Sequence, residues 1–501
     1  MAPRHDRGMP RVTITVDNRI RLDPSSIPSE VVDLLRQDFT HQNPQREMLR
    51  RIGKPFWGEP KEIATYALDG RELSLPRGGM GRLRKRLEEA GLRREVVDRR
   101  CRGDERAGAR IPDHLIELWP FQRVALSVLV GRQCGIFRSG TGSGKTTVGI
   151  ALASAVKLPT CVIVYNAGLF DQWVKRAGRE LGIREQDVGV IKGPVRRLRP
   201  FTVAMQQTLN SRGVDPEVAR YFGVVIADEV QRTPSRTMAC VMDQFPAVYR
   251  IGISASERRK DKKEFITYDL IGEIIHDVKR AELIKSGHVL DVQVRVVPTD
   301  FEAPWYGMPT DDNSDVEVDI VRLTEEMQED FARNEVAIGC VLAEVRDRQV
   351  LVFSHRRDHC ILLDRKLVAL GIRTGFLIGG ADYGVEFRRT IERLERGELQ
   401  AGVGTFQAIG QGLDLPGVSV GVCATPIASN KQVFAQVLGR FCRTRAGKSA
   451  ACLYYLWDRR VFGLKHLRNI VSWNSNVVVR DDAGGWREGR QYLREQESQD
   501  G

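Results

Sequence analysis

A glycine-rich loop at positions 139–146 restricts the possible folds of this chain more than any other feature of its sequence. It reads Ser-Gly-Thr-Gly-Ser-Gly-Lys-Thr, and it lies between a strand-like run that ends near Arg138 and a helical segment that continues from Val148. Glycine lets the backbone turn tightly, so that successive N–H groups converge on phosphate oxygens, and the helix N-terminus adds its dipole. The strict pattern has glycine where Ser139 stands. The loop predicts a nucleotide-binding α/β domain.

The residues of this loop divide the contacts to the nucleotide among themselves. Lys145 is expected to reach the β- and γ-phosphates, and the hydroxyl of Thr146 is expected to ligate Mg²⁺. The predicted nucleotide-binding residues of the loop are Gly140, Thr141, Gly142, Ser143, Gly144, Lys145, Thr146 and Thr147. The alternative is a glycine-rich loop that serves only as a turn.

Two carboxylates follow an apolar run further along the chain. Asp228 and Glu229 come directly after Val224-Val-Ile-Ala227, and a buried parallel strand presents its last residues at the edge of the sheet where α/β proteins bind ligands. Asp228 is predicted to hold Mg²⁺ through water, and Glu229 to orient and deprotonate an attacking water. The alternative is an acidic pair at a solvated helix start.

From about residue 111 onward, short apolar runs alternate with polar helical stretches, which is typical of βα units around a parallel sheet. The predicted buried strands are 161–165, 201–205, 224–227, 249–253, 349–353, 374–378, 401–404 and 418–423. We predict two doubly wound parallel-sheet domains in tandem, at 111–290 and 291–475, with a linker or surface excursion near 298–319. A small α+β domain at 1–110 precedes them, and a polar, frayed tail at 476–501 follows.

Several segments resemble, in the correct order, the motifs of superfamily 2 helicases. In the first α/β domain these are Asp228-Glu229-Val230-Gln231 for motif II, Trp119-Pro120-Phe121-Gln122 for the glutamine motif, the segments around Asn166 and Thr208 for motifs Ia and Ib, and 252–261 for motif III. In the second they are the segment around Ser354 for motif IV, Thr405 with Gly412 and Asp414 for motif V, and 436–443 for motif VI. The resemblance covers about residues 111–475 and looks greatest to the branch that contains XPB, UvsW and phage proteins.

This resemblance implies two RecA-like domains, ATP and Mg²⁺ as cofactors, and an ATP-dependent DNA helicase or translocase that moves on or remodels branched or duplex DNA. It implies that Gln122 contacts adenine, that Gly412 and Asp414 belong to the ATP site, and that Gln436, Arg440 and Arg443 complete the catalytic site. Phosphoryl transfer spreads negative charge over the γ-phosphate, which an arginine from another domain can stabilise. Arg440 and Arg443, three apart on an expected helix, would face the same way across an interdomain cleft. The residues expected to track the nucleic-acid backbone are Asn166, Thr208, Ser354 and Thr405.

The positive charge of the chain is concentrated near its N-terminus. The whole chain has 77 Lys and Arg against 65 Asp and Glu, and residues 1–110 contain 24 of the former and 17 of the latter. Such an excess favours a polyanionic partner. Arg84, Lys85 and Arg86 are predicted to contact duplex phosphates; the equally weighted alternative is a solvated helix whose leucines face a small core.

Other features limit the cellular context and leave alternatives open. The sequence has no apolar run of membrane-spanning length and no secretory signal, and its nine scattered cysteines favour a reducing compartment, so a cytoplasmic protein is expected, in the host cytoplasm if phage-encoded. We expect a monomer, with protein partners in replication, recombination, repair or defence. The alternatives are the motor subunit of a restriction or defence complex, an RNA-remodelling ATPase, and an ATP-switched binding module that does not hydrolyse.

Overall fold

The computed structural model describes residues 11–51, 53–230, 235–255, 262–306, 316–378, 384–410, 415, 417–427, 431–444 and 448–499. The chain forms two compact units: the first consists of Met1–Gly140 with Gly144–Lys279, and the second of Arg280–Gly501 with Thr141–Ser143. The N-terminal domain and the first parallel sheet therefore share one unit. The division near residue 280 precedes the boundary at 290 that the sequence suggested.

The N-terminal domain is a small α+β fold. Its elements are β1 (Arg11–Val16), β2 (Arg19–Leu22), α1 (Ser29–Asp38), β3 (Thr40–Gln42), α2 (Pro44–Arg51), β4 (Glu62–Ala64), β5 (Ala67–Leu68), β6 (Leu73–Pro76), α3 (Met80–Glu89), β7 (Arg93–Asp98) and α4 (Glu105–Gly108). One sheet has the order β5-β6-β2-β1-β7, and β3 pairs separately with β4. Because side chains alternate along a strand, Val12, Ile14 and Val16 of β1 face one core, which Leu83 and Leu87 of α3 complete.

The first parallel sheet follows in the same unit. Its elements are α5 (Pro120–Arg132), β8 (Cys134–Ser139), α6 (Lys145–Val156), β9 (Thr160–Val164), α7 (Ala167–Leu181), β10 (Gly189–Lys192), β11 (Val195–Arg197), β12 (Phe201–Met205), α8 (Gln206–Arg212), α9 (Pro216–Tyr221), β13 (Val224–Ala227), α10 (Ser235–Met242), β14 (Tyr249–Ser254), α11 (Glu264–Ile271) and β15 (Ile274–Val278). The strand order is β11-β10-β12-β9-β13-β14-β8-β15. All pairs are parallel except β10 with β11. The phosphate-loop strand β8 is thus separated from β13 by a single strand, β14.

Buried arginines join the N-terminal domain to this sheet. The Arg77 guanidinium donates to the carbonyl of Val248 at 2.9 Å, and that of Arg250 donates to the carbonyl of Asn18 at 3.0 Å. Burial, together with the nearby charge of Arg250, lowers the pKa of Arg77 to about 9. Two buried cations are tolerated because backbone carbonyls accept their hydrogen bonds. The contact between the N-terminal domain and the sheet is therefore part of the interior of the first unit. An ion pair between Arg82 and Asp269 also crosses this contact.

The second unit contains a second, mostly parallel sheet. Its elements are α12 (Arg280–Lys285), β16 (Gln293–Thr299), α13 (Val316–Glu329), α14 (Phe331–Leu342), β17 (Val350–Ser354), α15 (Arg357–Ala369), β18 (Thr374–Leu377), α16 (Gly384–Glu395), β19 (Ala401–Thr405), α17 (Phe406–Gly410), β20 (Val420–Cys423), α18 (Lys431–Phe441), β21 (Cys452–Asp458), α19 (Arg459–Trp473), β22 (Val477–Arg480), β23 (Trp486–Glu488) and α20 (Gly489–Gln499). The strand order is β18-β19-β17-β20-β21-β16-β22-β23, with only β23 antiparallel to its neighbour. Two doubly wound domains preceded by a small α+β domain are thus confirmed.

The C-terminal residues correct the prediction of a frayed polar tail at 476–501. Strand β22 pairs with β16, β23 adds a further edge, and α20 follows. Tyr492 and Leu493 of α20 are buried, and so are Val477 and Val479 of β22. A few apolar side chains at the right spacing are enough to dock a polar segment onto a sheet. The predicted linker at 298–319 is also partly wrong, because β16 extends to Thr299.

Among the described residues, no helix has both the length and the apolar character needed to cross a membrane. The eight cysteines whose side chains the structure describes form no disulfide.

Candidate nucleotide-binding site

The glycine-rich loop has the strand–loop–helix geometry that its sequence predicts. Strand β8 ends at Ser139, and α6 begins at Lys145. Gly142 and Gly144 have φ angles of +88° and +75°, which other residues rarely adopt. A Cβ on Gly144 would also lie 2.4 Å from the side-chain nitrogen of Gln122. The backbone conformation and the close approach of Gln122 therefore both favour glycine at Gly144.

Lys145 lies at the first position of α6, where the helix dipole is positive. Its ammonium donates to the carbonyls of Ser139 at 3.0 Å and Gly140 at 3.3 Å, so the side chain folds back along the loop. Thr146, the predicted Mg²⁺ ligand, is half-buried beside it. The loop, the lysine and the threonine hydroxyl thus share one helix N-terminus, which favours an anionic ligand.

The side chain of Thr147 forms its hydrogen bonds inside the domain. Its side chain is buried, and its hydroxyl donates to Glu180 at 3.2 Å and accepts from Arg176. Glu180 is fully buried and also contacts Nε2 of His114 at 3.1 Å. This polar cluster joins α7 to the helix that follows the phosphate loop. Thr147 therefore supports the loop from inside the domain rather than contacting the nucleotide with its hydroxyl.

Asp228 lies directly after β13, at the edge of the sheet where the loop also lies. The carboxylate is almost completely buried, and its Oδ2 accepts a hydrogen bond of 2.7 Å from the indole Nε1 of Trp173. Its Oδ1 accepts from the backbone N–H of Glu229 at 2.9 Å. Trp173, itself fully buried on α7, thus fixes the orientation of Asp228. Trp173 follows the segment around Asn166 that resembles motif Ia, but the sequence does not predict this hydrogen bond, because a contact between residues so far apart leaves no local pattern.

The pKa of Asp228 lies above the ordinary range of a carboxyl group. Burial and the neighbouring charge of Glu229 raise the pKa of Asp228, the Trp173 hydrogen bond and the charge of Lys145 lower it, and the net pKa is about 6. Glu229 has a φ of +49°, a left-handed conformation that is uncommon for a residue with a side chain. A strained backbone at the predicted general base is typical of an active site.

Gln122 occupies the third position of α5 and is buried against the loop. Its Oε1 accepts from the backbone N–H of Trp119 at 3.0 Å, which caps the helix. Its amide nitrogen is the group that approaches Gly144. The predicted adenine-reading glutamine is therefore brought next to the phosphate loop.

The oxygen ligands at this edge fit Mg²⁺. Thr146 supplies a hydroxyl and Asp228 a carboxylate, both of them hard ligands, and Asp228 is pre-oriented by two hydrogen bonds. No cluster of three or more His, Cys, Asp or Glu side chains suited to a metal occurs in the described part of the chain. That donor set suits a metal that is bound jointly by one carboxylate and by substrate phosphates.

In the second unit, the motif VI segment forms helix α18 only as far as Phe441. Gln436 and Arg440, four residues apart on α18, lie on the same face, and both are half-buried. Arg443 lies beyond the helix end, where its backbone bridges to Val289. The expectation that Arg440 and Arg443 share one helix face is therefore wrong. Gly412 and Asp414 lie outside the described residues.

The predicted nucleic-acid contacts fall into two groups. Asn166 caps α7 through its Oδ1, at 2.8 Å from the N–H of Leu169, and its buried Nδ2 has no hydrogen-bond partner within the described ranges. Thr208 is half-buried and accepts from the N–H of Gly193. In contrast, Ser354 is 1% exposed and Thr405 is 9% exposed. The hydroxyl of Ser354 is bonded to His359 Nδ1 at 2.9 Å, so it is used within the fold.

The basic triplet on α3 is also divided. Arg84 and Lys85 are exposed and form i,i+4 pairs with Glu88 and Glu89, at 3.6 Å and 3.8 Å. Arg86 instead forms a two-pronged ion pair with Asp38 of α1, at 2.7 Å and 2.8 Å. The Arg86 guanidinium therefore stabilises the N-terminal domain, and only the first two side chains face solvent.

Comparisons with known proteins agree with this geometry. Residues 115–259 match the family described as the res subunit of type III restriction enzymes. The protein named DNA 3'-5' helicase XPB from Mycobacterium tuberculosis is 25% identical over 348 residues, which cover 68% of this chain and 60% of that protein. The DNA 3'-5' translocase XPB2 of Sulfurisphaera tokodaii is 30% identical over 168 residues, covering 34% of this chain and 37% of that protein.

A solved structure extends the comparison to the fold. The structure of Saccharomyces cerevisiae Dbp5 bound to RNA and ADP BeF3 superposes with a TM-score of 0.53 at 13% identity, covering 75% of this chain and 93% of that one. The fold and the loop define a P-loop protein with tandem RecA-like domains. The sequence matches to the res-subunit family and to the XPB proteins confirm the resemblance to superfamily 2 helicases related to XPB. The chain spans about 60% of the length of its mycobacterial relative.

Proposed function

We propose that this protein is an ATP-dependent DNA helicase or translocase. The observation that carries the proposal is the meeting, at one edge of the first sheet, of the phosphate loop with Lys145, the Trp173-held carboxylate of Asp228, and Glu229 in a strained conformation. The names of the XPB relatives support DNA as the substrate.

The residues at this edge divide the work of ATP hydrolysis. Backbone N–H groups of the loop and the Lys145 ammonium bind the phosphates, and Gln122 binds the adenine. Thr146 and Asp228 would hold Mg²⁺, which when bound neutralises charge on the phosphate oxygens. Glu229 orients the attacking water and accepts its proton. Arg440, with Arg443 and Gln436, would stabilise the charge that develops on the γ-phosphate. Gly412 and Asp414 would complete the ATP site.

Contacts to the nucleic-acid strand come from the first unit in this proposal. The unpartnered amide nitrogen of Asn166 supports a contact to the DNA backbone, and Thr208 lies on the neighbouring helix α8. Arg84 and Lys85 can add phosphate contacts. We further propose that the protein is a cytoplasmic monomer, with protein partners in replication, recombination, repair or defence.

Two substitutions in the ATP site test the proposal. Lys145→Ala removes the phosphate-binding cation, and Glu229→Gln removes the base while keeping its size, so each should reduce DNA-stimulated ATP hydrolysis by about 10²–10⁴-fold. Glu229→Gln should still bind ATP. Lys175→Ala, which changes an exposed lysine of α7, is the matched control and should hydrolyse ATP at the wild-type rate. Wild-type hydrolysis by either active-site variant would refute the assignment.

The choice of stimulant separates the candidate functions. ATPase rates should be measured with single-stranded, duplex and forked DNA and with RNA, at stated salt, because phosphate contacts depend on ionic strength. Stimulation by RNA alone would make the protein an RNA-remodelling ATPase. The description of the matching family supports a second candidate, the motor subunit of a restriction or defence complex. Stable association with a nuclease or methyltransferase subunit would favour that role.

A further inference from the structure

The segment between β3 and β4 carries the most exposed tryptophan of the described chain. This β3–β4 excursion, residues 43–61, contains helix α2 and the turn that follows it. Trp57 is 84% exposed, and Met48 on α2 is 62% exposed. A single exposed apolar side chain is common on protein surfaces, so the case for an interaction at Trp57 rests on the groups around it.

The excursion holds Trp57 in a fixed environment. The Phe56 ring stacks on Trp57 with centroids 4.9 Å apart and planes inclined by 25°, and the Arg46 guanidinium lies 4.9 Å from the Phe56 ring centroid. Arg46 also donates to the carbonyl of Glu59 at 2.6 Å. At the base, the amide of Asn43 donates to the carbonyl of Pro60 at 2.9 Å and closes the loop. Trp57 is therefore pre-oriented by packing and hydrogen bonds.

The base of the excursion is fixed on the domain that contains the first parallel sheet. The ring of His41 stacks on Phe265 of α11 at 4.1 Å, and its Nε2 lies 2.8 Å from a carboxylate oxygen of Asp269. Lys263 donates to Gln45 of α2 at 2.9 Å. These contacts lie within the first unit, so the excursion has a defined position on the sheet that carries the ATP site.

The charge around Trp57 favours a polyanion. The basic residues of the excursion are Arg46, Arg50, Arg51, Lys54 and Lys61, against Glu47 and Glu59 within it and Glu62 at its end. Arg50 and Lys61 are exposed and form no ion pair with any residue that the structure describes. On α3, in contrast, Arg84, Lys85 and Arg86 all have acidic partners. Of the β3–β4 excursion and helix α3, the excursion is therefore the one with exposed basic side chains that have no acidic partner in the part of the chain that the structure describes.

We propose that the β3–β4 excursion is a single-strand binding site, in which an unpaired nucleobase stacks on Trp57 while Arg50 and Lys61 contact the flanking phosphates. Stacking on an aromatic side chain beside basic residues is how proteins bind single-stranded nucleic acid without reading its sequence. This inference rests on the proposed function, because it names the part of the DNA substrate that the N-terminal domain holds.

The affinity for fluorescein-labelled oligo-thymidine, measured by anisotropy, tests the site. Trp57→Ala should weaken binding by about 5- to 150-fold, the range expected for one stacked base, and Trp57→Phe should recover most of the affinity. Arg50→Ala should reduce the slope of log affinity against log salt by about 1 or less, whereas Trp57→Ala should leave that slope unchanged. Leu68→Ala, at another exposed apolar residue of the same domain, is the matched control and should bind like wild type.

The outcomes separate this site from the function on which it rests. If Trp57→Ala binds oligo-thymidine as tightly as Leu68→Ala, the stacking site is wrong, while DNA-stimulated ATPase activity of the wild type would leave the proposed function standing. If Trp57→Ala instead loses self-association in sedimentation with unchanged oligonucleotide affinity, the excursion is a protein contact, and the proposal is overturned. ATPase activity without DNA should be the same in all these variants, which also shows that they are folded.

Discussion

The two parallel sheets have the same kind of topology but use the polar residues at their strand ends in opposite ways. In the first sheet, Asp228 is buried with a raised pKa, and Glu229 has a strained backbone. In the second sheet, Asp458 at the end of β21 is fully buried and accepts from Arg333 at 2.7 Å and from Thr299 at 2.6 Å. Ser354 at the end of β17 is bonded to His359. Strand ends carry chemistry only where the fold leaves polar groups strained or incompletely neutralised.

This contrast predicts that substitutions at the second edge affect stability rather than hydrolysis. Asp458→Asn leaves the buried guanidinium of Arg333 without its counter-charge, which should lower the free energy of unfolding by about 3–5 kcal/mol. Urea-induced unfolding measures the loss. Asp482→Asn removes an exposed partner of Arg459 and is the control, with no measurable change expected. A folded Asp458→Asn protein with impaired ATP hydrolysis would contradict the contrast.

The first edge should respond to pH. Because the pKa of Asp228 is raised to about 6, the carboxylate becomes protonated as the pH falls below that value and then binds a metal less well. At limiting Mg²⁺, the ATPase rate should fall by about tenfold per pH unit on the acid side, and added Mg²⁺ should move this limb to lower pH by competition with the proton.

The pH dependence of stability distinguishes this decrease in ATPase rate from acid unfolding. A carboxyl group with a raised folded-state pKa favours the fold when it is protonated, and its destabilising effect appears as the pH rises from the unfolded value toward about 6. Asp228 therefore makes the protein more stable at acid pH, while the ATPase rate decreases. An acid limb that coincides with loss of the folded signal would contradict the assignment.

The smallest expected effect concerns the nucleic-acid contacts. Ser354→Ala removes the hydroxyl that lies against His359, whose pKa burial lowers to about 3, and should cost about 1 kcal/mol of stability without weakening DNA binding. Asn166→Asp keeps the capping oxygen of α7 but removes the unpartnered donor, so it should weaken DNA binding. Equal effects of the two substitutions on oligonucleotide affinity would remove this distinction between the sheets.

The sequence predicts the features that local pattern determines. The phosphate loop is recognisable because Gly142 and Gly144 adopt a positive φ that favours glycine, and Asp228 because it follows a run of four buried residues. The predicted strands of both sheets are all present, with ends shifted by a residue or two. Each of these strands forms its backbone hydrogen bonds with neighbouring strands and buries its apolar side chains in the same sheet. The spacing of apolar residues is therefore enough to predict them.

What the sequence misses depends on contacts between distant residues. Trp173 and Asp228 are 55 positions apart, and Thr147 and Glu180 are 33 apart, so no local pattern reveals either pair. The strand β21 is absent from the predicted strands although all of its residues are buried. The polar composition of α20 conceals Tyr492 and Leu493, and the end of α18 at Phe441 cannot be read from a motif that continues to Arg443.

The buried arginines between the N-terminal domain and the first sheet limit how this protein can be dissected. A shortened chain that begins at Ile111 would lack both Arg77 and the Asn18 carbonyl that Arg250 uses, while Arg250 itself would stay in the remaining core. Such a truncation would remove one side of a buried contact, and it would expose the Arg250 guanidinium together with apolar surface. The N-terminal domain and the first sheet should therefore be kept together in any shortened chain, although the recognisable motifs start only after residue 111.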